Sequence, residues 1–365
     1  MTKKEMTKIV NENIERLKKN EFNVYFFVLD TKGNPNSSLE YIYKTAYVLK
    51  EAGYNVTMLH MEKEFIGVGE WMGLRYAELP HANIETDNVQ VSASDFLFIP
   101  EIFANVMMQT KNLPCKRVIL VQNYNYITEF MPVSQTLELL NIRDAIVTSE
   151  KQGSMITKYF PGLNTHVVPP SISCVFKKSD EPKRLVINII AQEQSDVNMI
   201  VKPFYWMNPI YRWVSFSDLR GMSQDVFANA LNTAAITIWM DDKTNFGYSL
   251  LEALRSGSLV LAKTPNNPPD WMLDEKGNFT EKIIWFDDIN EIPLRLPSAV
   301  RSWTLDEVPE EIYKNQDEFS SLYSEEEQKN AILKVYVEEF FNKRLKEFEE
   351  TKAFIKNNKS VENEQ

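Results

Sequence analysis

The stretch Trp239-Met240-Asp241-Asp242-Lys243-Thr244-Asn245-Phe246-Gly247-Tyr248-Ser249-Leu250-Leu251-Glu252-Ala253-Leu254-Arg255-Ser256-Gly257-Ser258-Leu259-Val260-Leu261-Ala262 reads as strand, loop, helix, turn and strand in succession. An apolar strand over residues 235–240 runs into a polar loop, a helix is expected over 249–256, and Gly257 closes it in the C′ position before the strand at 259–262. A loop at the carboxyl end of a parallel strand is where open α/β sheets bind ligands. Gly247 lets the backbone approach a ligand closely, and the N–H groups of Tyr248 to Leu251, aided by the helix dipole, form an anion site suited to phosphate. Glu252 lies one turn inside the helix, able to accept hydrogen bonds from hydroxyls such as those of a ribose. Ser249-x-x-Glu252 is equally a capping box, in which Glu252 only bonds the backbone at the helix start. Spacing alone leaves both readings open.

The same alternation extends to either side. A charged helix is expected over 8–19 and a dense apolar strand over 24–29. A turn-rich loop over 30–38 follows, with Ser37 or Ser38 to cap the next helix and Gly53 to close it, and a strand over 54–60. Residues 95–100 and 117–122 are continuous apolar runs of the kind a parallel sheet covered on both faces requires. A short strand at 145–148, a helix from Ser149 to about Phe160, and Val167-Val168 complete the first half. The prolines at 169 and 170, with residues 171–182, mark a boundary. The pattern restarts with strands at 185–190 and 213–216, a helix at 223–231, the quoted stretch, and a strand at 282–286. Two successive βα-repeating halves predict an α/β protein of two doubly wound, Rossmann-like domains facing each other across a cleft. The expected domains are residues 1–170 and 171–323. Ser324-x-x-Glu327 opens a long charged helix over 324–356 that packs back on the first domain, and residues 357–365 read as a flexible polar tail.

The length of 365 residues fits two domains, and 44% hydrophobic with 25% charged residues is an ordinary globular balance, which excludes disordered, collagenous and disulfide-stapled classes. No apolar run approaches the ~18–20 residues that span a bilayer, and the polar N-terminus carries no secretory signal. Two cysteines, Cys115 and Cys174, predict reduced thiols and a cytoplasmic setting. The net charge of −11 argues against sequence-independent nucleic-acid binding, without excluding a local basic groove. The three histidines form no pair at metal-ligand spacing, and Asp241-Asp242 and Asp287-Asp288 read as strand-end solvation, so no metal site is expected. Gly67-Val68-Gly69 lacks the third glycine of a dinucleotide fingerprint. Tyr205, Trp206, Tyr211 and Trp213 form an aromatic cluster near the expected ligand side, read as a packed domain edge.

Phe246, Gly247, Glu252, Ala253, Gly257 and Val260 resemble, in kind and spacing, the donor-binding signature of GT-B glycosyltransferases of the retaining family 4 type. Residues 144–150, the His166-Val167-Val168-Pro169-Pro170 crossing with Phe176, and residues 221–227 resemble other parts of that family in the same order. The resemblance implies a GT-B architecture and transfer of a sugar, with retention and without metal, from a nucleotide-diphosphate donor (a UDP- or GDP-sugar) to a hydroxyl-bearing acceptor. It implies that Glu252 binds the ribose hydroxyls and that the Phe246-Gly247-Tyr248-Ser249-Leu250 segment holds the pyrophosphate. A cation from the second domain would offset the departing diphosphate. The sequence departs from the pattern at three places. Thr244 stands where the family's first signature Glu falls, leaving Asp241 or Asp242 to hold the donor sugar. Residues 190–194 lack the family's Arg, leaving Lys202, Arg212 or Arg220 as the cation. Gln122 and Asn123 stand at the end of the fourth expected strand in place of a His, able to bond sugar hydroxyls but not to act as acid or base. The acceptor stays open among glycan, lipid, protein, metabolite and modified nucleobase, with DNA disfavoured by charge. The alternatives are another GT-B sugar-nucleotide enzyme such as an epimerase, or a catalytically inactive binder of nucleotide or glycan.

Overall fold

The computed structural model describes residues 3–179, 181–241, 246–281, 283–307 and 323–361, and the chain divides into two compact units, Met1–Pro169 with Gln328–Gln365, and Pro170–Glu327. In the first unit α1 (Lys3–Lys18) precedes β1 (Asn23–Phe27), α2 (Ser37–Glu51) and β2 (Asn55–His60). Two single turns, α3 (Gly69–Met72) and α4 (Leu74–Ala77), lead to β3 (His81–Asn83) and β4 (Phe96–Pro100). Then come α5 (Ala104–Gln109), β5 (Lys116–Val121), α6 (Tyr124–Phe130), β6 (Asp144–Val147), α7 (Glu150–Tyr159) and β7 (Asn164–Val167). All seven strands are parallel, in the order β3-β2-β1-β4-β5-β6-β7.

Period-two burial divides this sheet's side chains between two cores. Val24, Phe26, Phe96 and Phe98 face one way, and Tyr25, Phe27, Leu97 and Ile99 the other. The first of these faces is closed by the end of the chain. There α12 (Glu325–Ile332) passes into a π-helical stretch, Leu333–Phe341, and then α13 (Asn342–Val361). Tyr336, Phe340 and Phe341 are buried, with Phe98–Tyr336 and Phe96–Phe341 ring centroids each 4.7 Å apart. At ~1.5–3 kcal/mol per fully buried large apolar side chain, these rings make the terminal helix part of the first unit's core. Polar anchors add orientation. Arg344 donates to Ala93 O (3.0 Å), and His166 bonds Glu339 through Nδ1 and Asp144 through Nε2, the latter at 3.3 Å.

In the second unit β8 (Arg184–Ile190), α8 (Gln194–Met207), β9 (Ser215–Asp218), α9 (Gln224–Thr233), β10 (Ala234–Trp239), α10 (Tyr248–Arg255), β11 (Leu259–Lys263), β12 (Ile284–Phe286) and α11 (Ile292–Thr304) follow in turn. Its five parallel strands are ordered β12-β11-β10-β8-β9. Lys183 ties the helix ends of this unit together, its Nζ donating to the carbonyls of Leu231, Asn232 and Ser256 at 2.7–3.3 Å.

Several expectations shift. The cap of α2 is Asn36, whose Oδ1 accepts the Leu39 N–H at 3.0 Å, not Ser37 or Ser38. The strand expected at 213–216 begins at Ser215, because residues 209–211 form a 3₁₀ turn stacked on α8. Residues 357–361, expected in a flexible tail, continue α13, and residues 362–365 lie outside the described residues.

Asp144 is buried between Lys116 (2.5 Å), His166 and Asn164. Burial alone would raise its pKa, but the hydrogen bonds from His166 and Lys116 prevail and hold the carboxyl well below the ordinary range. Asp144→Ala, which takes the carboxylate from Lys116 and one of the two from His166, is expected to cost about 3 kcal/mol in urea unfolding at neutral pH. Because the folded-state pKa is depressed, that advantage is complete above ~4 and fades as pH falls below it.

Candidate functional site

In a doubly wound sheet the ligand crevice opens at the carboxyl ends of the two strands where strand order reverses. In the second unit those strands are β8 and β10, neighbours from which the chain proceeds in opposite directions. Ile190 pairs with Trp239, and two residues beyond each, Gln192 Nε2 donates to Asp241 Oδ1 at 2.9 Å across the reversal point. The loop after β10 then delivers Phe246 and Gly247 to the start of α10.

Gly247 is the N-cap of α10, at φ +78° and ψ 45°. That left-handed conformation is open to glycine and strained for other residues. Its missing side chain also matters, since a Cβ there would stand 2.4 Å from Met272 Cε and 3.1 Å from the Trp271 ring. Two indoles fix the turn. Trp271 Nε1 donates to Phe246 O at 2.7 Å, and Trp239 Nε1 donates to Ser249 Oγ at 3.0 Å. Phe246 and Leu250 are buried in the surrounding core with Trp239, Trp271 and Met272, so their side chains serve the frame and only their backbones face the turn. Glu252 and Tyr248 are half-buried on α10.

This geometry corrects two expectations. The helix begins at Tyr248, not Ser249, and its cap is a glycine, so Ser249-x-x-Glu252 is not a capping box. The four amides expected to serve an anion are also not all available, because the N–H groups of Leu250 and Leu251 both donate to Gly247 O, at 3.2 and 3.1 Å.

The candidate cations separate by sheet edge. Arg212 is exposed and precedes β9, at the amino edge of the sheet, so it is not brought to the 246–252 turn. Lys202 lies eight residues into α8, about 12 Å down the helix from the carboxyl edge, and is exposed. Arg220, two residues past β9, sits on the carboxyl edge, with Nε 3.0 Å from Asp218 Oδ1 and a bond to Gln194 Oε1. The aromatic cluster follows Arg212 to the amino edge. Tyr205 and Tyr211 pack on Phe204, with Tyr205 Oη bonded to Val214 O, while Trp206 and Trp213 point outward. Asp242 and Thr244 lie outside the described residues. Among the described residues no three His, Cys, Asp or Glu side chains gather as a metal would need.

The first unit has its own reversal point, between β1 and β4. Here sequence reading named Gln122 and Asn123 but missed Glu101, the residue that follows β4. Glu101 is 3% exposed, and its Oε1 accepts the backbone N–H groups of Gln122 (3.0 Å) and Asn123 (2.7 Å). Burial raises its pKa to about 7, against the lowering effect of those amides. Gln122 Nε2 donates to Ser38 O at 3.1 Å, Gln152 Nε2 donates to Gln122 O at 2.7 Å, and Asn123 Oδ1 caps α6 through Asn125 N–H. The signal was present in the sequence: a carboxylate directly ending the apolar run 96–100 has no solvent on either face.

No protein-family model matches the sequence, and neither does any curated protein. Solved structures do. Sucrose-phosphate synthase from Thermosynechococcus elongatus aligns over 87% of this chain and 99% of its own, with TM-score 0.62 at 9% identity. The pneumococcal O-GlcNAc transferase GtfA, solved with UDP and GlcNAc, aligns over 90% and 99%, with TM-score 0.57 at 10% identity. The catalytic domain of starch synthase IV from Arabidopsis thaliana, bound to ADP and acarbose, aligns over 89% and 99%, with TM-score 0.52 at 10% identity. This chain has the GT-B glycosyltransferase fold. The GT-B frame accounts for both βα-repeating units and the long final helix. Among the described residues no helix is long and apolar enough to cross a membrane.

Two variants test these geometries. Gly247→Ala should destabilise the second unit by about 1–2 kcal/mol in urea, through backbone strain alone, with further loss from the Trp271 contact. For Glu101 the sign is opposite to that of Asp144. A raised folded-state pKa means that stability falls as pH rises between the ordinary carboxyl value and about 7. Relative to Glu101→Gln, the wild type should lose on the order of 3 kcal/mol of unfolding free energy from about pH 4 to about pH 8.

Proposed function

We propose that the protein is a glycosyltransferase that takes a sugar from a nucleotide-diphosphate donor held by the second unit and passes it to a hydroxyl-bearing acceptor held by the first. The observation that carries this reading is the glycine-capped start of α10, pinned by two indole N–H groups at the β8/β10 reversal point. A backbone turn of this kind, with the positive end of a helix behind it, suits a pyrophosphate. Glu252, one turn along, is assigned to the ribose hydroxyls, and Tyr248 and Ser249 to the phosphates. The GT-B fold supports the assignment, as do the UDP and ADP named with two of its structural neighbours.

Chemically, the transfer breaks the bond between the sugar's anomeric carbon and the diphosphate oxygen, forms one to the acceptor oxygen, and leaves negative charge on the nucleoside diphosphate. Stabilising that charge is the protein's main task. Arg220 is the cation assigned to it, being the candidate placed on the carboxyl edge. Asp241, with Asp242, is assigned to the donor sugar's hydroxyls. We assign the reaction as metal-independent and retaining, with a UDP- or GDP-sugar as donor and a neutral, polyhydroxylic acceptor.

One observation favours a second reading, a nucleotide-binding protein without transferase activity. The residue reaching Asp241 from β8 is Gln192, a neutral amide that adds no positive charge for a leaving diphosphate.

Thermal unfolding with UDP, GDP, ADP and CMP separately is expected to give a selective stabilisation of ~2.7 kcal/mol at 100 times the dissociation constant. Glu252→Ala should abolish it while folding normally. Absence of any nucleotide-dependent shift would overturn the donor assignment. Nucleoside diphosphate released from the matching sugar nucleotide, reduced at least tenfold in Arg220→Ala, then separates a transferase from a binder.

A further inference from the structure

At the amino edge of the first unit's sheet, opposite the edge that carries the β1/β4 reversal point, the loops entering β6 and β7 border a hollow of about 360 Å³. That volume falls within the ~300–1,000 Å³ of small-molecule sites. Leu137, Ile142 and Leu163 line it as buried apolar side chains, and the Tyr159 ring, 54% exposed, lines it from the solvent side. Glu138 and Arg143 supply its charge. Both are exposed and opposite in sign, yet neither side chain makes a hydrogen bond or ion pair among the described residues.

The walls are fixed by the frame behind them. Arg117, buried on β5, donates to Leu140 O, and to Met107 O and Lys111 O at 3.1 and 3.2 Å. Thr136 Oγ1 accepts the Leu139 N–H at 3.1 Å and the Ile142 N–H donates to Leu137 O at 2.9 Å, which closes the turn that carries Glu138. On the other side the Leu163 N–H donates to Phe160 O at 3.0 Å. The Asn164 N–H donates to Arg143 O at 2.8 Å and joins the two loops where the strands begin. A site shaped before its ligand arrives loses little ordering entropy on binding.

The lining selects a class of ligand. A carboxylate only accepts hydrogen bonds, a guanidinium only donates them, and a hydroxyl does both. A phosphate or nucleotide would meet repulsion from Glu138, and an ammonium group would meet it from Arg143. An aliphatic chain would take water from both charges and return no hydrogen bond. A sugar ring answers every part of the lining, with neighbouring hydroxyls for Glu138 and Arg143 and an apolar C–H face for the Tyr159 ring. We propose that this hollow is a binding site for a neutral oligosaccharide, separate from the crevice at the carboxyl edge. The assignment does not depend on the transferase reading, because the lining residues belong to neither reversal point.

Carbon-13 methyl spectra of the full-length protein, titrated with maltotriose, cellotriose and triacetylchitotriose, test it. At least one of these sugars should shift the Leu137, Ile142 and Leu163 methyl signals to saturation, and excess UDP should leave that titration unchanged. Tyr159→Ala should weaken the binding about tenfold, the loss of one packed ring. Glu138→Gln and Arg143→Gln should each weaken it about fivefold. The three side chains are exposed, so each variant should melt as the wild type does. No methyl shift with any of the sugars, shifts confined to Val28 and Val121 at the carboxyl edge, or an affinity untouched by all three variants overturns the proposal. So does a shift of the same methyls by inorganic phosphate or diglycine in place of the sugars, which would make the hollow an anion or zwitterion site.

Discussion

The positive φ of Gly247 is the constraint on which the second unit's candidate site depends. β10 is buried on both faces and delivers the chain to the carboxyl edge, from which α10 must start back across the sheet. Gly247 takes the left-handed turn that starts α10, and only a residue without a Cβ fits there against Met272 and Trp271. Once the glycine is in place, Phe246 O faces the Trp271 indole and Ser249 Oγ faces the Trp239 indole. The turn is therefore held from within the core rather than by a cap. Its outer side stays backbone, which is what close approach of a phosphate requires.

The fold was legible because apolar run length reports burial directly. The strands at 24–29, 95–100 and 117–122 had nowhere to go but the middle of a parallel sheet, and they form β1, β4 and β5 of a seven-stranded one. What escaped lacks that signal. β3 has three residues, too few for a period, and α8 carries Pro203 and a run of aromatics that mask its helical spacing. The sequence over 357–361 is mostly polar, so its helicity leaves no trace in hydrophobic pattern.

The candidate site divides in the same way. Gly247 and the order of strand, turn and helix are local, and they could be read. The contacts that fix the turn are not local: Trp271 lies 25 residues from Phe246, and Gln192 lies 49 residues from Asp241. Sequence distance is also a poor guide to sheet edge. Arg212 and Arg220 are eight residues apart, yet β9 runs between them and carries one to each end of the sheet. Pattern supplied the list of cations, and strand direction selected among them.

The two reversal points meet one shared requirement in opposite ways. At the carboxyl edge of a parallel sheet, backbone N–H groups of the connecting loops need acceptors. In the first unit the protein supplies its own: Asn36 caps α2 and Glu101 takes the amides of residues 122 and 123. A second anion there would meet a buried carboxylate at close range, which is strongly unfavourable in a low-dielectric site. In the second unit the helix at the corresponding place begins on a glycine, which has no side chain to cap with, and no buried carboxylate of the Glu101 kind is found among the described residues. In the transfer proposed above, the uncapped glycine turn of the second unit is the place for the anionic nucleotide, and the first unit, whose loop amides are already taken by Glu101, is left to the hydroxyl-bearing acceptor.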